Sequence, residues 1–156
     1  MEYDLRKKAK LRCMHLLEKR DYTEKQLRDK LRMGKLPYSE EIISEAIDYV
    51  KSYHYVDDER YARNYVEQMT QRKSRRQIEQ DLLQKGVDRA YIVSAFEDTE
   101  EEDEMQLIFQ WMEKKHFDRS NADQKECQKM YAFLIRKGFQ SSDVSRAMRV
   151  SIDENC

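Results

Sequence analysis

The sequence predicts an all-α protein, a tandem array of three three-helix repeats that is elongated rather than rolled into a sphere. Three observations carry that reading. Gly occurs three times and Pro once in 156 residues, too few turn-forming residues for a sandwich or barrel. The glycines stand at 34, 86 and 138, separated by 52 residues each time, a period typical of stacked helical units. Charged and hydrophobic residues each make up 39% of the chain, and mean hydropathy is −1.04. Such a balance suits helices that bury one stripe and solvate the rest.

Each glycine closes a similar phrase: Lys30-Leu31-Arg32-Met33-Gly34, Leu82-Leu83-Gln84-Lys85-Gly86 and Leu134-Ile135-Arg136-Lys137-Gly138. A glycine after apolar-periodic residues, with a cation in the last turn, reads as a helix stop in the left-handed conformation. The expected helices cover 4–19, 23–33, 39–53, 57–71, 74–85, 88–97, 100–115, 122–137 and 141–150. They group into repeats at 1–54, 55–98 and 99–156.

The elements follow in chain order. In the first helix, Cys13 and Leu17 stand at the same distances from Gly34 as Tyr65 and Met69 do from Gly86. Thr23 with Gln26 forms a capping box for the second helix, and Tyr22 staples onto Leu27. Ser39, between Tyr38 and Ile43, starts the third, which carries Ile43-x-x-Ala46-Ile47 three residues late because of an insertion around Leu36-Pro37-Tyr38. Asp57 and Asp58 open the fourth. Ser74 with Gln77 repeats the box for the fifth, and Asp88, between Val87 and Ile92, caps the sixth. The alanine phrase returns there as Ile92-x-x-Ala95-Phe96, and in the ninth helix as Val144-x-x-Ala147-Met148. The seventh helix carries Leu107, Ile108, Trp111 and Met112, and lies farther from its glycine than its counterparts do. A triplet of about fifty residues buries too little apolar surface to stand alone, so neighbours must stack or share helices. The third triplet, behind an acidic run, is expected to be the most independent.

Charge is distributed unevenly on a chain of net charge −1. Residues 1–36 hold twelve Lys/Arg against six Asp/Glu, and seven of the eight residues from Glu97 to Glu104 are acidic. Distinct faces meeting different partners are the implication. Cys13, Cys127 and Cys156 show no CxxC spacing, which points to a reducing cytoplasm. The start, Met-Glu-Tyr-Asp-Leu-Arg-Lys-Lys, has no apolar run of the signal-peptide kind, and no membrane partner is expected.

Enzymatic signatures are missing. All three glycines are used as helix stops, leaving no Gly-rich phosphate loop. His15, His54 and His116 fall in different repeats without HxxxH spacing and read as surface or boundary residues. Trp111 reads as core. No catalytic residue, cofactor or metal is expected. Adjacent helical positions do not share a face, so Asp57 and Asp58 read as a cap that accepts free amides at a helix N-terminus. The acidic run reads likewise as a helix start. The basic run is different: Arg72, Lys73, Arg75 and Arg76 surround the expected cap Ser74, crowding cations at the positive end of a helix dipole, where each costs roughly 0.3–1 kcal/mol when exposed. Either the cap is misplaced or these side chains meet an anion, and the four are taken as the candidate partner-binding patch.

The phrases Tyr55-Val56-Asp57-Asp58-Glu59-Arg60-Tyr61-Ala62, Ile78-x-x-x-Leu82-Leu83-x-Lys85-Gly86-Val87, Leu16-Leu17-x-x-Arg20-Asp21-Tyr22-Thr23 and Leu134-Ile135-Arg136-Lys137-Gly138-Phe139 together resemble the RecX family, in the family's order and over nearly the whole chain. The resemblance gives Asp57, Asp58, Arg60 and Tyr61, with Gly34, Gly86 and Gly138, a structural role. It implies a cytoplasmic, monomeric regulator that binds the RecA recombinase filament on single-stranded DNA and suppresses ATP hydrolysis, strand exchange and coprotease activity without being an enzyme. Single- or double-stranded DNA is a further implied partner. The alternative is a helical nucleic-acid-binding module acting directly on phosphates. One departure stands out: many relatives carry a glycine just before the central repeat's second helix, where this chain has Lys73-Ser74-Arg75-Arg76.

An elongated array should scatter as one. Small-angle X-ray scattering is expected to give a radius of gyration well above the roughly 15 Å of a compact globule of this length; a value near that figure would refute the extended array.

Overall fold

A computed structural model of the chain describes residues 2–97 and 103–153, the last four for their backbone only. The described residues form nine helices and no strand. They are α1 (Glu2–Lys19), α2 (Glu24–Arg32), α3 (Glu40–Ser52), α4 (Asp58–Met69), α5 (Arg75–Gln84), α6 (Arg89–Glu97), α7 (Glu104–Lys114), α8 (Gln124–Arg136) and α9 (Ser141–Asp153). Each lies within a few residues of its expected span. Of the acidic run, positions 98–102 fall outside the described residues; Asp103 and Glu104 begin α7.

The starts are set by side chains that accept orphan amides. Thr23 and Gln26 form the capping box on α2, Ser39 accepts from the Ile42 amide, and Asp123 accepts from the Glu126 amide. Ser74 accepts from the Gln77 amide at 3.1 Å, so the cap before α5 is real and α4 ends before it.

The chain divides into two compact units, Met1–Tyr65 with Leu82–Asp98, and Val66–Asp81 with Thr99–Cys156. They do not follow the triplets one for one, because α4 and α5 each contribute to both. In the first unit α3 packs chiefly on α1. Ala9, Cys13 and Leu16 from α1 meet Ile43, Ala46, Ile47 and Val50, and Leu27 and Leu31 of α2 close the core. The small Ala46 lets the two backbones approach, and each fully buried Leu or Ile contributes about 1.5–3 kcal/mol. Burial pushes the Cys13 thiol up to about 11, so it packs as a small apolar group. In the second unit α9 lies on α7 and α8, with Leu107, Ile108, Leu134, Val144 and Ala147 buried together.

Helix ends separate the glycines. At Gly86 (φ 88°) the Val87 amide reaches the Leu82 carbonyl at 3.0 Å and the Gly86 amide the Leu83 carbonyl at 3.0 Å, the double closure of a Schellman turn. Gly138 (φ 95°) repeats it, Phe139 to Leu134 and Gly138 to Ile135. Gly34 does not adopt the left-handed conformation expected of it. The insertion that follows turns the chain by another route, with Met33 as an ordinary right-handed cap, and a Cβ at Gly34 would meet only carbonyls at 3.5 Å. Two histidines take the position instead: His54 (φ 61°) closes α3 and His116 (φ 56°) closes α7, each through the same pair of bonds. A non-glycine residue there costs roughly 1–2 kcal/mol.

Three substitutions are therefore separable by urea denaturation. Gly86→Ala is expected to cost well over about 1 kcal/mol, because strain adds to a clash: the new Cβ would sit 2.4 Å from that of Lys25. Gly34→Ala should change stability by less than about 0.5 kcal/mol or improve it, and His54→Gly should stabilise by about 0.5–1 kcal/mol.

Candidate functional site

Of the structural motif residues, the structure places Asp58, Gly86 and Gly138 at a junction that occurs twice. In the first unit the Thr23 hydroxyl, fully buried, accepts from the Gln26 amide at 3.2 Å while donating to the Lys85 carbonyl. Beside it, the Glu24 amide donates to Asp58 Oδ1 at 2.9 Å, and Gly86 lies against the side chain of Lys25. In the second unit the Ser74 hydroxyl accepts from Gln77 and reaches the Lys137 carbonyl at 3.4 Å. The Arg75 amide donates to Glu104 Oε1 at 3.1 Å, and Gly138 lies against Gln77 and Ser74. At each junction, then, a hydroxyl, a carboxylate and a left-handed glycine lock the start of one second helix to the following repeat. Glycine is required because any Cβ would intrude on the neighbouring helix.

The two aspartates consequently do different work. Asp57 caps α4 itself, accepting from the Arg60 amide at 3.1 Å, whereas Asp58 caps α2 of the preceding repeat. Burial raises the Asp58 carboxyl above its ordinary range, against the Glu24 amide and the nearby Lys51. Glu104 is raised for the same reason, against the Arg75 amide. Arg60 holds the α3–α4 turn by donating to the His54 carbonyl at 3.0 Å and the Tyr55 carbonyl at 3.4 Å. Tyr61 stacks on Tyr65, 6.4 Å between ring centres, and burial raises its phenol despite a hydrogen bond to Gln26.

The basic run resolves into two roles. Lys73 pairs with the mostly buried Asp81 at 2.7 Å, and Gln77 Nε2 donates to the other oxygen of that carboxylate at 2.8 Å. Arg72, Arg75 and Arg76 are exposed around the α5 N-terminus. Arg75 Nε reaches Glu79 at 3.2 Å, while the guanidinium groups of Arg72 and Arg76 make no ion pair among the described residues. The Arg72 carbonyl accepts from the Trp111 indole N–H at 2.9 Å. Trp111 lies at the edge of the second unit's core, edge-on to Phe133 at 5.4 Å, with Lys114 and Lys137 over its ring at 5.2 and 4.6 Å. The residue-by-residue reading missed this basic, aromatic surface. Its signal was in the sequence all the same, since residues 114–137 hold seven Lys/Arg against three Asp/Glu. Among the described residues no group of His, Cys, Asp and Glu could hold a metal ion, and no helix is long and apolar enough to cross a membrane.

These features define an all-α protein of tandem three-helix repeats linked by capped junctions. Family models describing the first, second and third three-helix domains of RecX match residues 9–49, 57–95 and 101–148 in that order. The regulatory protein RecX of Caldanaerobacter subterraneus subsp. tengcongensis is 37% identical over 147 residues, covering 93% of this chain and 71% of that relative. The RecX of Clostridium perfringens strain 13 is 33% identical over 135 residues, covering 85% and 63%. The chain belongs to the RecX family of regulatory proteins. It spans between 63% and 71% of the length of these relatives. A crystal structure of a regulatory protein RecX superposes with a TM-score of 0.71 at 27% identity, over 92% of this chain and 71% of that one. That of RecX from Lactobacillus salivarius gives 0.73 at 24% identity, over 96% and 97%, a likeness of fold.

Asp58 tests the junction. Its raised carboxyl means that on acidification the folded chain takes up this proton before the unfolded chain does. Its charge therefore costs stability at neutral pH, and that cost fades as pH falls through the folded value toward the ordinary one. Asp58→Asn, which keeps the acceptor and loses the charge, is expected to be as stable as the parent at neutral pH or more so. Asp58→Ala should lose about 1 kcal/mol. Chemical denaturation at several pH values checks both, and equal losses in the two variants would remove the hydrogen bond from the account.

Proposed function

We propose that the chain is a negative regulator of the RecA recombinase. It binds RecA filaments on single-stranded DNA in the cytoplasm and inhibits ATP hydrolysis, strand exchange and coprotease activity by occupying the filament rather than by chemistry. The observation that carries this reading is the ordered match of all three RecX domain models to one chain whose relatives are named regulatory proteins. The basic turn before α5 supports it. Arg72, Arg75 and Arg76 lie exposed at the positive end of a helix dipole, an arrangement that attracts carboxylates or phosphates. Lys73 contributes to the same field while its ammonium also serves Asp81.

Added to RecA filaments on single-stranded DNA, the protein is expected to slow ATP hydrolysis at concentrations near or below that of RecA. Arg72→Glu with Arg76→Glu and Arg75→Gln should weaken that effect by about tenfold or more. Gln is used at 75 because a carboxylate there would face Glu79 and Glu104, and Lys73 is kept for its structural pair. Unchanged hydrolysis with the parent protein overturns the recombinase reading. Full inhibition by the triple variant would clear this turn of a role. Salt-sensitive DNA binding with no effect on RecA favours direct action on phosphates.

A further inference from the structure

A second surface, in the second unit, combines an apolar floor with a basic rim. A groove of about 570 Å³ lies between the turn that ends α7 and one face of α8. Phe117, Met130 and Phe133 supply its floor; Lys115, Lys129 and Arg136 stand around it, opposed by the single carboxylate of Glu126. The stripe is helical in origin, because Glu126, Lys129, Met130, Phe133 and Arg136 recur at spacings of three and four along α8. None of the three cations makes an ion pair among the described residues, and Lys115 rests over the Phe133 ring at 4.7 Å.

We infer that this groove docks an acidic peptide segment of a protein partner, one that carries an aromatic or large aliphatic anchor. Charge complementarity argues for the acid: three uncompensated cations face one carboxylate, in a stretch of strong positive excess on a chain of net charge −1. The floor argues for the anchor. Half-buried Phe117 and Phe133 gain most from a side chain that covers them, and the volume suits one large apolar group with its flanking backbone. A nucleic-acid backbone would satisfy the rim and leave the floor wet, whereas an amphipathic peptide uses both. The inference rests on the groove alone and does not depend on the recombinase reading.

Fluorescence anisotropy of the full chain with labelled synthetic probes tests it. The probes are a short Asp/Glu peptide with one central Phe, the same peptide with Ser in its place, and a single-stranded oligonucleotide of equal charge. The Phe peptide is expected to bind saturably and to lose roughly tenfold or more with the Ser replacement. Lys129→Glu with Arg136→Glu should cost a similar factor. Both positions are exposed, so the helical circular dichroism should be unchanged, while Lys125→Glu outside the groove should matter far less. Absence of saturable binding, equal binding of the Ser peptide, indifference to the double reversal, or displacement of the peptide by the oligonucleotide at equal charge would each overturn the assignment.

Discussion

A hydroxyl buried at the start of a helix organises each unit. Thr23 accepts an amide from its own helix and donates to a carbonyl of the next repeat, and Ser74 stands in the same relation to Gln77 and Lys137. A hydroxyl can do both because it carries one proton and two lone pairs. The neighbouring geometry follows from it. The carbonyl it meets is the last before a Schellman glycine, that glycine must lack a Cβ to let the helices touch, and the carboxylate on the first residue of the next repeat's first helix, Asp58 or Glu104, reaches the adjacent amide. Three side-chain choices therefore fix the register of one helix on another, and the apolar core fills in behind them.

The local half of this arrangement was legible in the sequence and the tertiary half was not. Caps, staples and alanine phrases are signals between residues three or four apart, so helix spans came within a few residues. Gly34 looked like Gly86 because the phrases before them match. What differs is the chain afterwards, where the insertion around Leu36-Pro37-Tyr38 replaces the Schellman turn. His54 and His116 read from the sequence as surface or boundary residues, and nothing local marks the left-handed backbone that each adopts, which is uncommon for a non-glycine residue. Asp57 and Asp58 read together as one cap; that they serve different helices depends on a contact between residues 24 and 58, which no local pattern carries.

The charged residues divide by partner rather than by composition. Lys73 sits in the same run as three exposed arginines, yet its ammonium meets a carboxylate that is itself largely buried, a pairing that is costly to break from one side. Arg60 and Lys137 likewise look like surface cations and are engaged, one with the carbonyls of a turn and the other with aromatic rings. Among the described residues, cations that make no ion pair include Arg72 and Arg76 around the α5 N-terminus and Lys129 and Arg136 along α8. A near-neutral chain thus presents concentrated positive fields, which steer encounters over about a Debye length even when total charge does not.

The shared hydroxyls also set how cooperatively the chain melts. If the repeat carrying Lys85 undocked, Thr23 would keep its own helix capped but exchange its carbonyl partner for water, and the Glu24 amide would exchange Asp58 for water, so the hydrogen bonds and apolar contacts of the junction would be lost together. Fraying at one repeat is thereby transmitted as a penalty to its neighbour, the nearest-neighbour coupling that makes arrays of small helical units unfold in blocks rather than helix by helix. The first turn of α2 should accordingly exchange its amide protons with the block that includes the end of α5, although Thr23 and Lys85 stand 62 positions apart in the chain.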